Sequence, residues 1–265
     1  MTKKNFDLIS QLTFDTSGIQ LDYQKEDMVY VRLAARIKVL GLHDFNEYCD
    51  LISHKKDGEY THFINSVTTN LTSFFREPHH FEHLLKLLIQ MKRDNTREKR
   101  IRIWSAGCSK GMEPYSIAMT ILKASFKPEY DIKVLATDLD TTVLKIASKG
   151  LYNEDQMKGV DKADKNRFFN VQPKNHSQIK DRVKDLIAFK PLNLMEPWPI
   201  NGPFDIIFCR NVVIYFNKDT QRVLFDRFAD LIAPRGTLFI GHSETLQGVT
   251  QRFDNQGRTI YRKRD

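Results

Sequence analysis

The stretch IWSAGCSKGMEPYSIA, Ile103 to Ala118, decides the fold class of this 265-residue chain. It contains a short apolar strand, a turn with two glycines and the beginning of a helix, which is how a βαβ unit starts. Downstream, β-type segments alternate with helical ones: IKVLATD, TTVLKIASKG, FDIIFC, DTQRVLFDRFADLIA and TLFIG. This alternation predicts an α/β domain with a parallel sheet and crossover helices.

The chain ahead of this unit has a different periodicity. Apolar residues recur there at helical spacing, as in MVYVRLAARIKVLG. We therefore predict an all-helical N-terminal domain over residues 1–91, a linker in the charged segment 92–100 and the α/β domain over 101–265. The alternation breaks over about 151–192, where a polar insert is expected.

Composition limits the class of protein. Hydrophobic residues make up 41% of the chain, enough for a large core, and the formal net charge of +8 favours a partner with negative charge. Cys49, Cys108 and Cys209 are odd in number and widely spaced, which argues against a disulfide framework and suits a reducing compartment. The longest apolar runs are far shorter than the roughly 18 residues of a membrane helix. We expect a cytoplasmic protein without membrane insertion.

The turn from Ala106 to Gly111 is expected to contact a ligand, because ligands of open parallel sheets bind beyond the carboxyl ends of the strands. Gly107 and Gly111 would let the backbone come close to that ligand. The turn matches neither the GxGxxG of dinucleotide-binding folds nor the GK[ST] of phosphate loops. Dinucleotides and nucleoside triphosphates are therefore disfavoured.

Two acidic residues sharpen this prediction. Glu113, expected just before a helix N-terminus, would repel a pyrophosphate and suit an amine or another cation. Asp138 ends the second strand, where a carboxylate can accept both hydroxyls of a ribose. Together they favour a nucleoside without a phosphate chain, such as S-adenosylmethionine. Asp138 could equally be a helix cap, since DLDTT precedes a helical segment.

Four stretches make the chain resemble a known family. TTNLTSFFREPHHF, WSAGCSKGMEPYSIA, ATDLDTTVLKIASKGLY and FDIIFCRNVVIYFNKDTQ are similar to motifs of the CheR-type chemotaxis receptor methyltransferases. The similarity continues to the final GTLFIGHSE and covers nearly the whole chain. It implies a Rossmann-like class I S-adenosylmethionine-dependent methyltransferase domain with a small β-subdomain insert, behind the helical domain.

The resemblance also implies the chemistry. S-adenosylmethionine would be the methyl donor, S-adenosylhomocysteine the product, and glutamate side chains of chemoreceptor signalling domains the acceptors. Arg76 and Tyr215 would be the catalytic residues that face the substrate carboxylate. Receptor contact is implied for Arg32 and Arg36, one turn apart on a helix, and a solvated charged face is the alternative. The implied cofactor-binding residues are Asn70, Thr72, Arg76, Glu113, Asp138, Asn193, Leu194, Arg210 and Asn211.

Several of these residues have simpler interpretations. Tyr215 and Phe216 follow an apolar strand and could belong to the core, and Arg76 could merely pair with Glu77 or an exposed neighbour. His79 and His83 lie four residues apart, a spacing compatible with metal binding, but no third ligand is apparent. We predict no metal site.

The insert is predicted to form the β-subdomain that in some family members grips a tethering peptide at the receptor's C-terminus. Those members have a glycine-containing turn there, whereas VQPKNHSQIKDRV has none. This favours recognition that does not depend on a tether. We also expect a monomer. The rival functions are methylation of RNA or another substrate, for which no RNA module is recognisable, and a catalytically silent signalling adaptor.

Overall fold

The computed structural model describes residues 1–54, 58–94 and 98–265. A group of helices is followed by a mixed sheet with helices on both faces. A small second sheet is inserted between two strands of the main sheet. The predictions of an all-helical N-terminal domain, an α/β domain and an inserted β-subdomain are confirmed. Over the described ranges, no helix combines the length and the apolar character that crossing a membrane requires.

The N-terminal domain is built from four helices among the described residues. The first begins where Thr2 and Asn5 cap each other reciprocally, and it ends at Gly18 in the left-handed conformation. Its core includes Phe6, Leu33 and Phe63, none of them more than 1% exposed. The helices are α1 (Lys3–Ser17), α2 (Glu26–Leu40), α3 (Phe45–Ser53) and α4 (Gly58–Val67).

Helix α5 (Pro78–Arg93) packs on the α/β domain. Its fully buried Leu84 and Leu88 belong to the same apolar cluster as Ile117 of α6 (Met112–Ala124). The first two residues of the predicted linker, 92–100, form the last turn of α5, and 95–97 lie outside the described residues. A domain boundary in this segment stays a prediction.

Seven strands of the described chain form the main sheet, in the order β6-β2-β1-β7-β8-β10-β9. The first five run parallel, and β10 and β9 complete an antiparallel edge. The chain places β2 and β6 on one side of β1 and then returns to place β7 on the other. The strands are β1 (Arg100–Ala106), β2 (Asp131–Asp138), β6 (Ile187–Pro191), β7 (Phe204–Cys209), β8 (Ile232–Ile240), β9 (Phe253–Asn255) and β10 (Ile260–Lys263).

This reversal is a topological switch point, where the loops after β1 and β7 diverge and leave a crevice. Buried side chains fix both faces of the sheet beside it. Trp104 packs against Phe204 and Phe228 on one face, and Phe208 stacks on Phe239 on the other. The flanking helices include α7 (Thr141–Lys149) and α10 (Lys218–Leu231).

The β-subdomain is an antiparallel sheet in the order β3-β5-β4. Its hairpin turn has no glycine, yet Lys174 and Asn175 both adopt left-handed φ angles, 58° and 55°. The hairpin therefore forms without the residue that favours this conformation. Its elements are β3 (Leu151–Asn153), α8 (Lys162–Phe168), β4 (Phe169–Gln172), β5 (His176–Ile179) and α9 (Asp181–Lys184).

Candidate functional site

A pocket lies at the carboxyl ends of β1, β2 and β7, beneath the segment that joins α4 to α5. Residues 68–73 and Arg76 cover it from the N-terminal side, and Ser17 and Ile19 contribute from the end of α1. The structure thus brings together residues from more than half of the chain. The predicted site residues that line the pocket are Asn70, Thr72, Arg76, Glu113, Asp138, Asn193, Leu194, Arg210, Asn211 and Tyr215.

The two glycines of the turn after β1 have a structural role besides the predicted approach to a ligand, which stays a prediction. Gly107 has φ 82°, and a Cβ there would lie 2.4 Å from Cγ2 of Val212 in the loop after β7. Gly111 has φ 86°, and its Cβ would lie 2.8 Å from that of Ala147. The glycines therefore make room for neighbouring protein, although Gly107 also lines the pocket.

Asp138 is held by backbone groups, and it is not a helix cap. Its Oδ2 accepts the N–H of Ser109 at 2.7 Å, and its Oδ1 accepts the N–H of Asp140 at 2.9 Å. The cap of α7 is Asp140, which accepts the N–H groups of Thr142 and Val143. Burial raises the pKa of Asp138 to about 6, against the effect of the two backbone N–H groups. A carboxylate with one N–H on each oxygen keeps lone pairs free for two ligand hydroxyls.

Glu113 forms a buried ion pair on the floor of the pocket. It is the second residue of α6, so it lies inside the helix and not before it. Its Oε1 accepts the hydroxyl of Ser105 at 2.7 Å, and its Oε2 accepts Nη1 of Arg210 at 3.0 Å. Burial raises the pKa of Glu113, and the charge of Arg210 opposes this shift.

Arg210 links this floor to the segment that covers the pocket. Its side chain is only 2% exposed, and Nη2 donates a hydrogen bond to the carbonyl of Arg76. The same nitrogen lies 3.3 Å from Oε2 of Glu77. Phe75 and Glu77, on either side of Arg76, have left-handed φ angles of 52° and 58°. Arg210 and its partners therefore hold a backbone conformation that is unfavourable for these residue types.

Arg76 does not pair with Glu77, so that part of the simpler interpretation of this arginine is wrong. Its Nη1 donates to the carbonyl of Leu71 at 3.0 Å. Glu77 instead accepts the backbone N–H of His242 at 3.2 Å and lies 3.0 Å from Nδ1 of the same residue. Burial opposes ionisation of Glu77, but His242 and the charge of Arg210 hold its pKa below the usual value. The guanidinium of Arg76 keeps donors that can point into the pocket.

Tyr215 and Phe216 both line the pocket, and both pack in the same apolar cluster, Phe216 as a buried member. Phe216 is 8% exposed, and Tyr215 is half-buried at the end of a short 3₁₀ turn, Val213–Tyr215. The carbonyl of Tyr215 accepts the N–H of Gln20 at 2.9 Å. The ammonium of Lys25 lies 5.8 Å from the ring centre of Tyr215. The ring of Tyr215 therefore lies beside a positively charged side chain.

Asn193 and Leu194 follow β6 and close the far side of the pocket. The amide of Asn193 donates to the carbonyl of Thr16 at 2.7 Å, which ties this loop to the end of α1. Leu194 is 9% exposed and presents an apolar surface. A flat apolar group such as a nucleobase would fit between such walls.

Arg32 and Arg36 lie outside the pocket lining, and the structure uses both inside the N-terminal domain. Arg36 forms a bidentate ion pair with the buried Glu59, with Nε 2.9 and 3.0 Å from the two carboxylate oxygens. Arg32 donates to the carbonyl of Thr68 at 2.7 Å and so closes the end of α4. Their contact with a receptor stays a prediction.

Glu244 is a functional candidate that the sequence alone did not single out. It lies in GHSE after β8, is 6% exposed, and accepts the backbone N–H groups of Asn211, Val212 and Val213 at 3.0, 2.9 and 2.9 Å. Asn211 has a left-handed φ of 59°. The carboxylate thereby anchors the loop that carries Asn211 and Tyr215. No periodicity or spacing links GHSE to RNVVIY, so the interaction was not predictable from either segment.

Among the described residues, Glu77, His79 and His80 bring potential metal-ligating atoms within 4.8 Å of one another. This set differs from His79 and His83, the pair whose spacing in the sequence is compatible with metal binding. The guanidinium of Arg210 lies beside Glu77, and a second cation there would be repelled. The absence of a metal site remains a prediction.

The donor set of the pocket fits S-adenosylmethionine. Asp138 offers a carboxylate for a diol, Glu113 offers negative charge for an amine or a sulfonium, and the apolar wall at Leu194 suits a base. A phosphate chain would meet both carboxylates, and Arg210 could not compensate because it already pairs with Glu113.

Comparison with known proteins agrees with this geometry. The family model described as CheR methyltransferase, SAM binding domain, matches residues 70–262, and that described as CheR methyltransferase, all-alpha domain, matches residues 4–68. A probable chemotaxis protein methyltransferase of Rhizobium etli is 45% identical over 95% of this chain and 96% of its own length. The chemotaxis protein methyltransferase of Escherichia coli is 42% identical over 98% of this chain and 91% of its own length.

These matches confirm the predicted resemblance, the class of fold and S-adenosylmethionine as the cofactor. The two family models meet at residues 68–70, within the segment that covers the pocket. Together they span nearly all of the sequence, in the order that the structure shows. The chain therefore belongs to the CheR methyltransferase family, as an S-adenosylmethionine-dependent methyltransferase.

Proposed function

We propose that this enzyme methylates glutamate side chains in the cytoplasmic signalling domains of chemoreceptors, forming glutamyl methyl esters and S-adenosylhomocysteine. The observation that carries the proposal is one pocket whose lining includes Glu113, Asp138, Arg76 and Tyr215. The relatives named as chemotaxis protein methyltransferases support chemoreceptors as the substrate.

We assign each pocket residue a role in binding the cofactor. Asp138 binds the ribose hydroxyls, Glu113 the amino end of the methionine, and Asn193 and Leu194 lie along the adenine. Asn70, Thr72 and Arg76 cover the cofactor from above. Arg210 and Asn211 form the floor, where Arg210 acts through Glu113 and the Arg76 backbone and not as a free charge.

The reaction needs orientation more than acid–base chemistry. S-adenosylmethionine supplies an electrophilic methyl group on a sulfonium sulfur. A glutamate carboxylate has an ordinary pKa of about 4.3 and is already ionised at neutral pH, so no general base is required. The residues of the chain align the attacking oxygen with the methyl group and remove water from it.

Arg76 and Tyr215 are proposed to orient the substrate carboxylate without holding it too tightly. Strong stabilisation of the reactant anion would raise the barrier, because its charge is lost as the ester forms. One guanidinium nitrogen of Arg76 already donates to the carbonyl of Leu71, which limits how strongly Arg76 can bind the substrate carboxylate. A single hydrogen bond from Tyr215 to one oxygen would leave the other free to attack.

We further propose that receptor recognition uses the N-terminal domain, including the basic residues Arg32 and Arg36 of α2, and does not depend on a receptor tether. The chain would act as a monomer in the cytoplasm and bind no nucleic acid. The net charge of +8 supports an acidic protein partner. Tether independence rests only on the absence of a glycine from the hairpin sequence, because the hairpin itself forms with Lys174 and Asn175 in left-handed conformations.

Labelled methyl transfer to chemoreceptor-containing membranes tests the function. Mild base should release the label as volatile methanol, because a carboxyl methyl ester is hydrolysed under these conditions. Label that survives base treatment would instead indicate methylation of nitrogen or nucleic acid. Membranes whose receptor glutamates are replaced by alanine are the control and should accept no label.

A further inference from the structure

Asp140 is a buried carboxylate that no predicted role explains. It is 3% exposed and lies two residues beyond Asp138, at the start of α7. Its Oδ1 caps that helix by accepting the N–H groups of Thr142 and Val143 at 2.8 and 3.3 Å. One oxygen is sufficient for this cap, so the second oxygen is available for another purpose.

The second oxygen of Asp140 reaches the segment that covers the pocket. Its Oδ2 accepts Nδ2 of Asn70 at 2.8 Å and the hydroxyl of Thr68 at 3.3 Å. These two residues lie where the two family models meet. An ionised acceptor makes these hydrogen bonds stronger than neutral ones.

This contact fixes the orientation of the Asn70 amide. Because only the NH₂ group can donate to a carboxylate, the amide oxygen must face the other way. That oxygen lies 3.4 Å from the hydroxyl of Ser109, in the turn after β1. Asn70 and Ser109 both line the pocket, so an acceptor is presented on the ligand side.

Asp140 is also joined to the other wall of the site. Its own backbone N–H donates to Oδ1 of Asp138 at 2.9 Å. The same residue therefore contacts the cover of the pocket through its side chain and the proposed ribose-binding carboxylate through its backbone.

We propose that Asp140 is a positioning residue for cofactor binding. It holds the Asn70 amide with its oxygen towards the ligand and keeps residues 68–70 closed over the pocket. The proposal rests on the proposed function, since it takes Asn70 to be a cofactor contact.

Asp140→Asn in the full chain tests the proposal. Asparagine caps helices as well as aspartate, but it has a single side-chain oxygen, so an NH₂ group would face the NH₂ group of Asn70. We expect the affinity for S-adenosylhomocysteine, measured by calorimetry, to fall about tenfold or more, as when a hydrogen bond to a charged group is lost. An unchanged affinity would overturn the proposal, whichever way the new amide turns.

Two further variants separate positioning from general damage. Asp161 caps α8 by accepting the N–H of Asp164 at 2.7 Å and lies outside the pocket lining, so Asp161→Asn makes the same change at a remote cap and should leave the affinity within about twofold. In an Asn70→Ala background, Asp140→Asn should cause little additional loss, because the group that it positions is absent. An equal loss in both backgrounds would show that Asp140 does not act through Asn70.

Failure of the proposed function and failure of the positioning role of Asp140 give different results. If the wild-type chain binds no S-adenosylhomocysteine, the proposed function fails before any variant is compared. If the wild-type chain binds it and Asp140→Asn binds equally well, only the positioning role is lost.

Discussion

Asp138 carries a carboxyl group whose pKa burial raises to about 6, with the nearby charge of Asp140 acting in the same direction. Ribose hydroxyls that donate to the carboxylate favour its ionised form, so the pKa in the complex should be lower. Affinity for S-adenosylhomocysteine should then be constant above pH 6. It should weaken as the pH falls below about 6, by up to about tenfold per unit.

Calorimetry between pH 5 and 8 checks this prediction for Asp138. The control is Asp138→Asn, which should bind more weakly at every pH and lose this part of the pH dependence. Burial raises the pKa of Glu113 and of Glu244 as well, so a residual slope in the variant reports on these other carboxyl groups. A wild-type affinity that is flat down to pH 5 would argue against a ribose contact by Asp138.

Tyr215 lines the pocket, and its hydroxyl is predicted to orient the substrate. Tyr215→Phe should therefore lower kcat about tenfold or more, the range for a hydrogen bond to a charged group, while the affinity for S-adenosylhomocysteine changes little. Tyr130→Phe makes the same change outside the pocket lining and should leave both quantities unchanged. Wild-type turnover in Tyr215→Phe would remove this hydroxyl from the mechanism.

The sequence predicts site residues well where position alone determines proximity. Glu113 lies in the helix after β1, and Asp138 is the last residue of the neighbouring parallel strand β2. The carboxyl ends of neighbouring parallel strands lie side by side, so these two residues come close together. Asp140 and Glu244 could not be assigned in this way, since their partners lie 70 and about 30 residues away along the chain. The use of Arg32 and Arg36 within the N-terminal domain depends on packing that no spacing reveals.

At the scale of elements, the turn after β1 and the loop after β7 must fit against each other. Gly107→Ala would place a methyl group 2.4 Å from Val212 and force a left-handed φ on alanine. Gly41→Ala is a matched control, because Gly41 has φ 69° but no atom within 4 Å of its added Cβ. Each should lose about 1 to 2 kcal/mol for backbone strain.

Gly107→Ala should lose about 1 to 3 kcal/mol more in the free energy of unfolding, because the collision with Val212 has to be relieved. It should also bind S-adenosylhomocysteine more weakly, since Val212 is next to Asn211 in the pocket lining. Urea unfolding and calorimetry measure the two effects. Equal losses in both glycine variants would show that the contact between the two loops is unimportant.

The alternation of strands and helices was predictable from the sequence because each element has its own apolar period. Features that depend on contacts between elements were not predictable from the sequence. The charged end of α5 looks like a linker, yet Lys92 and Arg93 are helical because Leu84 and Leu88 are buried against α6. In the β-subdomain, the absence of glycine did not prevent a tight hairpin, since Lys174 and Asn175 take left-handed angles.

At the scale of the whole molecule, the pocket is closed by contacts between the N-terminal domain and the α/β domain. Asn193 binds the carbonyl of Thr16, and Gln20 donates to the carbonyl of Tyr215. Asn65 at the end of α4 lies 3.3 and 3.1 Å from the hydroxyls of Thr141 and Thr142. A ligand in the pocket would therefore stabilise both domains at once.

This coupling predicts how the cofactor product affects stability. At 100 times its dissociation constant, S-adenosylhomocysteine should raise the free energy of unfolding by about 2.7 kcal/mol. Hydrogen exchange should slow in the α/β domain at Ser109 and also in the N-terminal segment, at Gln20 and across residues 70–76, because opening either side releases the ligand. Asp138→Asn at the same ligand concentration should show smaller protection on both sides. Protection confined to residues 101–265 would mean that the N-terminal domain contributes no binding energy and that the cover of the pocket opens independently of the ligand.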